Sequence, residues 1–419
     1  MISVSEQNVP ALVFSHFGVF CQDVAALEDF YTRVMGFAVS DCGHVRAGPV
    51  EFDMSFMTRR PWEHHQLVIA GGRPKELPST VNQIGFLAPD LAELRRMKAR
   101  LECEPGVTGI EAADHGIAWT LYFVDPQGNR ISASVNTGWY VPQPAYWPLD
   151  LSRSDVEIMT QTEGQCRTTL GFMLRAAWAE ETHKVLASLG RLASQATPSI
   201  DAKITSSESV FRRPVGTHAP ADPFPKIAMH QVGIYVADMD RLQAFYAQTL
   251  GYLVTGKGRM PAFGGQAAAN MVYLTRDPNQ VAQLILVSGR DPKIKSSVNQ
   301  VTFRVPDITT LRGINDSLRT IPGCANFRPI NHGNSYSLYC DDPEGNSLEI
   351  SYESDYYIPA PIAWPLDFGM DDATLLKHVA DRVHSTPGFM PRAEWKARSR
   401  AELVASGRIE AEELVEHVY

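Results

Sequence analysis

The chain has 419 residues, enough for two or three domains that each bury a core. It is 44% hydrophobic and 20% charged with a net charge of −9, a composition that suits a globular protein and gives no electrostatic case for a nucleic-acid partner. No apolar run approaches the length of a membrane span, and the six cysteines lack Cys-x-x-Cys spacing, so neither a membrane nor a metal-thiolate partner is expected.

In chain order, MISVSEQNVPALVFSH lacks a basic stretch followed by an apolar core, so no secretory signal is expected. With reduced cysteines, this reads as a cytoplasmic protein. The first strand, HFGVFCQ (16–22), ends at Asp23, which can cap a helix carrying Val24, Leu27, Phe30, Tyr31 and Val34 on one face and stopping at Gly36. Alternating strands follow in MSFMT (54–58) and HQLVIA (65–70). A second strand–Asp–helix unit runs through NQIGFLAPDLAELRRMKARL (82–101). The strands WTLYFVD (119–125) and NRISASV (129–135) come next, joined by a turn-forming Asp-Pro-Gln-Gly-Asn. Beyond Asp150 the pattern turns helical, and a Pro-, Ser- and Thr-rich stretch from 196 to 226 reads as a linker.

The series then repeats. HFGVFCQDVAALEDFYTRVMGFAVS (16–40) realigns with QVGIYVADMDRLQAFYAQTLGYLVT (231–255), and STVNQIGFLAPDLAEL (79–94) with SSVNQVTFRVPDITTL (296–311). HGIAWTLYFVDPQGN (115–129) returns as HGNSYSLYCDDPEGN (332–346), Trp147 as Trp364, and GFMLRAAW (171–178) as GFMPRAEW (388–395). The reading is a tandem duplication of class α+β, with two βαβββ modules and a C-terminal helical appendage in each half. The boundaries are a first domain over 1–192, a linker over 193–228 and a second domain over 229–419.

The pattern strand–Asp–helix–Phe-Tyr-x-x-x-Leu-Gly, then strand–Asp–helix, then Asp-Pro-x-Gly-Asn–strand resembles the vicinal oxygen chelate superfamily of glyoxalases, bleomycin and fosfomycin resistance proteins and dioxygenases. The string His-Gly through Tyr to Asp-Pro-x-Gly-Asn is most similar to type I extradiol ring-cleavage dioxygenases. The resemblance implies cup-shaped sheets whose inward side chains hold a divalent metal on two His and one carboxylate, leaving open positions for a catecholate and O₂.

At the implied ligand positions the first half carries His16, Gln83 and Ser132, and the second Gln231, Gln300 and Glu349. Neither half keeps the full set. His230 stands one residue off, on the opposite face of a regular strand, and only a local bulge would turn it inward. Gln is a weak ligand for Fe(II), so no firm metal site is expected; Glu349 is the weak candidate. The resemblance also implies substrate-binding His–Tyr pairs, matched by His115 with Tyr122 and His332 with Tyr339, and an acid–base His, matched by His65 with His64 beside it. The bland alternative is that His64 and His65 form a surface pair and that His115 and His332 are structural hydrogen-bonders left by duplication. Buried among apolar neighbours, Glu349 is expected to have a raised pKa and to act as a base.

The expected function is an extradiol-dioxygenase-like enzyme acting on a phenolic, catechol-like or quinonoid small molecule by metal-independent acid–base or O₂ chemistry. The catalytic candidates are His332, Tyr339, Glu349, His65, His115 and Tyr122; the substrate-binding candidates are Gln231, Gln300, His16 and Gln83. No cofactor is firmly expected. The alternatives are a metal-dependent dioxygenase using Fe(II) or Mn(II), and a non-catalytic binder of an aromatic ligand. A homodimer is a family expectation.

Overall fold

The computed structural model describes residues 12–47, 50–192, 224–263 and 265–409. Sixteen main strands carry the fold. In the first module they are β1 (Val13–Cys21), β2 (Ala38–Ala47), β3 (Val50–Thr58) and β4 (Leu67–Gly71), and in the second β5 (Val81–Leu87), β6 (Thr108–Asp114), β7 (Ala118–Val124) and β8 (Arg130–Asn136). The third holds β9 (Ala228–Val236), β10 (Leu253–Met260), β11 (Ala269–Thr275) and β12 (Leu284–Ser288). The fourth holds β13 (Val298–Arg304), β14 (Ala325–Asn331), β15 (Ser335–Asp341) and β16 (Ser347–Glu353).

Each module begins as its sequence dictates. Asp23 caps the helix at Val24–Asp29 through its side chain, a π-helical turn over Phe30–Val34 follows, and the chain reverses at Gly36. Asp90, Asp238 and Asp307 cap the other three module helices in the same way. Within a module the first and last strands pair in parallel, as β1 with β4 and β13 with β16, which is what a crossover helix requires.

The pairing of modules is not sequential. β1 pairs antiparallel with β13, giving a nine-stranded sheet in the order β2-β3-β4-β1-β13-β16-β15-β14 with the short strand Trp364–Pro365 at its end. β5 pairs with β9, giving a second nine-stranded sheet, Trp147–Pro148 followed by β6-β7-β8-β5-β9-β12-β11-β10. The expected domains over 1–192 and 229–419 are therefore not the compact units. One unit gathers residues 12–77 and 296–409, the outer modules in chain order; the other gathers 78–192 and 226–295, the inner modules. Leaving the edge of β1 or β5 bare would expose a row of backbone donors and acceptors, and the first strand of a distant module covers it in each case. The linker expected over 193–228 lies outside the described residues as far as 223, and β9 already begins at Ala228.

Each sheet keeps its own core, with Phe17, Val301, Phe303, Leu348 and Ile350 sealed in the outer unit and Ile84, Phe86, Ile131 and Val232 in the inner one. The helical appendages are present as Asp155–Thr168 with Arg175–Ser188, and as Asp372–His384 with Arg392–Ala405. Among the described residues no helix is long and apolar enough to cross a membrane, and no disulfide joins the six cysteines.

Candidate functional site

The module pairing brings together ligand positions that the linear sequence keeps apart. In the outer unit, His16 on β1 meets Gln300 on β13 and Glu349 on β16. Nε2 of His16 lies 3.2 Å from Glu349 Oε2 and 2.8 Å from the Gln300 amide nitrogen, which is 2.9 Å from the same carboxylate oxygen. Gly18 makes the approach possible: it stands opposite Gln300 in the register, and a Cβ there would fall 2.9 Å from Gln300 Cγ and 2.6 Å from the Asn299 side-chain oxygen.

Glu349 is buried and accepts from four neighbours. Thr302 donates to Oε2 at 2.9 Å beside His16 and Gln300, and Ser337 donates to Oε1 at 2.7 Å. The expected raised pKa is wrong. Burial pushes it up, but the His16 hydrogen bond and charge, the charge of His332 and the Ser337 hydroxyl prevail and hold it at about 2. Glu349 is a fixed anion, not a base.

His64 and His65 sit in the turn before β4, and His64 is buried, not a surface residue. Asp41 of β2, fully buried, accepts at Oδ2 from the Ala360 backbone at 2.9 Å, the Tyr357 hydroxyl at 3.1 Å and His64 Nε2 at 2.9 Å. His64 Nδ1 lies 2.8 Å from His65 Nδ1. His65 Nε2 lies 3.0 Å from His16 Nε2. Burial, and next the charges of His16 and His64, lower the pKa of His65 well below its usual value, so it is neutral. Trp395 of the appendage stacks on Tyr357 with ring centroids 5.6 Å apart and lies 5.5 Å from His64.

The two His–Tyr pairs form as spaced. His332 donates from Nδ1 to the Ile362 carbonyl, so its Nε2 accepts from the Tyr339 hydroxyl at 3.1 Å. Tyr339 pairs in register with Glu349, and burial followed by that carboxylate raises its pKa well above the usual value; it is a proton donor only. In the inner unit His115 donates to the Ala145 carbonyl at 2.7 Å and accepts from Tyr122 at 2.9 Å. Gly116 and Gly333, at φ +72° and +74°, make the turn that lets each His reach back across its hairpin. Burial lowers the His115 pKa to about 4, so the inner pair does not titrate near neutrality as a phenol base would need.

The inner unit collects Gln83, Gln231 and Ser132, with no imidazole at any of the three positions. Gln83 and Gln231 line a cavity of about 90 Å³ together with His115 and Tyr122. β9 carries a bulge between Met229 and Gln231, which brings His230 to the same cavity; the matching bulge in β1 falls at Ser15. Reading from sequence missed Asp41, Thr302 and Ser337, which carry no motif, and also Arg130. The last was visible in the repeat alignment, where NRISASV stands against NSLEISY.

Whether the outer cluster fits a divalent cation is tested by its crowding. A ring nitrogen has one proton or one lone pair, yet His16 Nε2 has three polar atoms, from Glu349, Gln300 and His65, between 2.8 and 3.2 Å away. Octahedral ligands at ~2.1 Å from a metal stand ~3.0 Å apart, the spacing found among His16, Gln300 and Glu349. The residues fit, with the Gln300 amide turned to offer its oxygen. Among the described residues no three His, Cys, Asp or Glu side chains form a metal cluster by themselves; an amide is the third donor here.

A model of the Glyoxalase/Bleomycin resistance protein/Dioxygenase superfamily matches residues 13–133, the first module and most of the second. Biphenyl-2,3-diol 1,2-dioxygenase 3 of Rhodococcus globerulus is 27% identical over 128 residues, 29% of this chain and 62% of that protein's length. Among solved structures, glyoxalase I of Zea mays is 12% identical over 81% of this chain and 92% of that one, with a TM-score of 0.43. A putative dioxygenase of Bacillus subtilis is 10% identical over 82% and 86%, with a TM-score of 0.45.

Proposed function

We propose that the chain is an extradiol-dioxygenase-like oxidoreductase acting on a catechol-like phenol in the outer unit, with a divalent cation held by His16, Gln300 and Glu349. The observation that carries this is the triangle of those three donors, 2.8 to 3.2 Å on each side, assembled from modules at opposite ends of the chain. It departs from the expectation of metal-free chemistry, which rested on glutamines at ligand positions and on neither half keeping a full set; here His16 joins Glu349, and Gln300 remains the weak donor.

Fe(II) or Mn(II) at such a triad would supply electron flow between a catecholate and O₂. The chain's own residues do the rest. Tyr339, which keeps its proton, donates to a substrate oxygen. His332 Nε2, freed from Tyr339 by the arriving hydroxyl, accepts the substrate proton. His65, neutral and oriented through His64 and Asp41, offers a second lone pair on the other side of His16. Glu349 stays anionic throughout and balances positive charge at the centre.

The test is metal retention after anaerobic Fe(II) loading and desalting, with O₂ uptake over a panel of catechols. We expect retained iron and uptake, both lost on Glu349→Ala and on His16→Ala, and tighter retention in Gln300→His. Uptake without metal would return the site to metal-independent chemistry. Catechol binding without uptake would make the protein a sequestering one.

A further inference from the structure

The strand that presents Glu349 in the outer unit presents Ser132 and Arg130 in the inner one, so the corresponding cup holds a guanidinium and no carboxylate. We propose that the inner cavity is a separate binding site for a small anion, an aromatic carboxylate clamped by Arg130.

Arg130 is 7% exposed and lines the cavity. Its Cζ stands 3.7 Å from the centre of the Tyr122 ring and 5.2 Å from that of Phe263. Nη1 reaches the Gln83 amide oxygen at the long distance of 3.5 Å, the guanidinium also touches Tyr122, and Nη2 is buried without a hydrogen-bond partner among the described residues. Among the described residues no Asp or Glu lines the cavity. A buried cation without a counter-charge is costly, and an arriving carboxylate, matching the planar fork of the guanidinium, relieves that cost directly.

A second observation agrees. His230, turned inward by the bulge, lines the cavity beside Gln280 and offers a further polar contact to a ring substituent. The walls suit an aromatic ring: Phe263, Tyr122, Met260, Met271 and Ile285 line the cavity. A metal has no place there, because the guanidinium already supplies the positive charge and Gln83, Gln231 and Ser132 supply none of the anionic ligation.

The experiment is calorimetric titration of the full chain, stripped of metal with chelator, using benzoate and, as the neutral analogue of similar size, benzyl alcohol. Benzoate is expected to bind at one site at least about tenfold more tightly than benzyl alcohol. Arg130→Gln is expected to erase that difference while leaving benzyl alcohol within about threefold, and Glu349→Gln to leave benzoate binding unchanged. Arg130→Lys, which keeps the charge and loses the fork, is expected to fall between, and serves if the Gln variant does not fold. Equal affinities for the two probes, no heat at millimolar benzoate, or benzoate binding that survives both Arg130 variants would overturn the proposal. None of these outcomes bears on iron retention in the outer unit.

Discussion

Glu349 and His115 are buried to a similar degree, 3% and 7% exposed, yet only one of them keeps a charge. The difference lies in what each group is offered in place of water. Glu349 receives four hydrogen-bond donors and stays ionised down to about pH 2. His115 loses water without gaining an anion: burial, helped by the Arg130 charge and only partly opposed by the Ala145 carbonyl, lowers its pKa to about 4. Burial lowers His230 to about 4 as well. Below the unfolded value of ~6.5 the unfolded chain takes up protons that these two histidines refuse when folded, so stability declines as pH falls from there towards 4. By pH 5 the expected loss is about 2 kcal/mol per histidine. Thermal denaturation between pH 7 and 5 checks this: His115→Gln and His230→Gln should each flatten the decline, and an unchanged pH slope would count against the assignment.

At the scale of the element, the bulge and the glycine do the positioning. A one-residue irregularity in β1 and again in β9 lets adjacent side chains share a face, which is why both Ser15 and His16, or His230 and Gln231, reach the same side. Opposite Gln300 the strand needs a residue with no side chain. A Cβ at Gly18 would lie inside contact distance of both Asn299 and Gln300, so Gly18→Ala should cost about 1–3 kcal/mol and displace the Gln300 amide. Iron retention should fall in this variant more than its melting temperature suggests. Retention equal to that of the parent chain would mean that Gln300 does not reach the cation. The appendages belong at this scale too, because Trp178 on Tyr140 and Trp395 on Tyr357 repeat one stacking contact, at 5.1 and 5.6 Å.

At the scale of the molecule, the pairing of modules determines where chemistry can occur. Sequential pairing would have given one cup with His16, Gln83 and Ser132 and another with Gln231, Gln300 and Glu349, neither able to hold a cation well. Pairing the first module with the fourth and the second with the third gathers His16, His65, His332 and Glu349 in one cup and leaves Arg130 with His115 and His230 in the other. A fragment ending at residue 192 contains β1–β4 and β5–β8 but lacks β13 and β9, the strands that complete each sheet. It is therefore expected not to fold as a monomer, and size-exclusion chromatography with circular dichroism would show this. A monomeric fragment with a cooperative transition would contradict the observed pairing.

The sequence by itself determined the duplication, the βαβββ rhythm, the helix caps at Asp23, Asp90, Asp238 and Asp307, and the two His–Tyr pairs. These rest on local rules: periodicity, capping, turn chemistry and a hairpin that brings residues seven apart back together. It also named the ligand positions one by one. Tertiary structure alone decided which of them meet, because the choice between β1 pairing with β5 or with β13 depends on which exposed strand edge finds its partner, and both choices satisfy the same local pattern. It decided as well that Glu349 stays charged and that His64 rests on Asp41, since His16 reaches Glu349 from 333 residues away and Tyr357 and Ala360 reach Asp41 from more than 300.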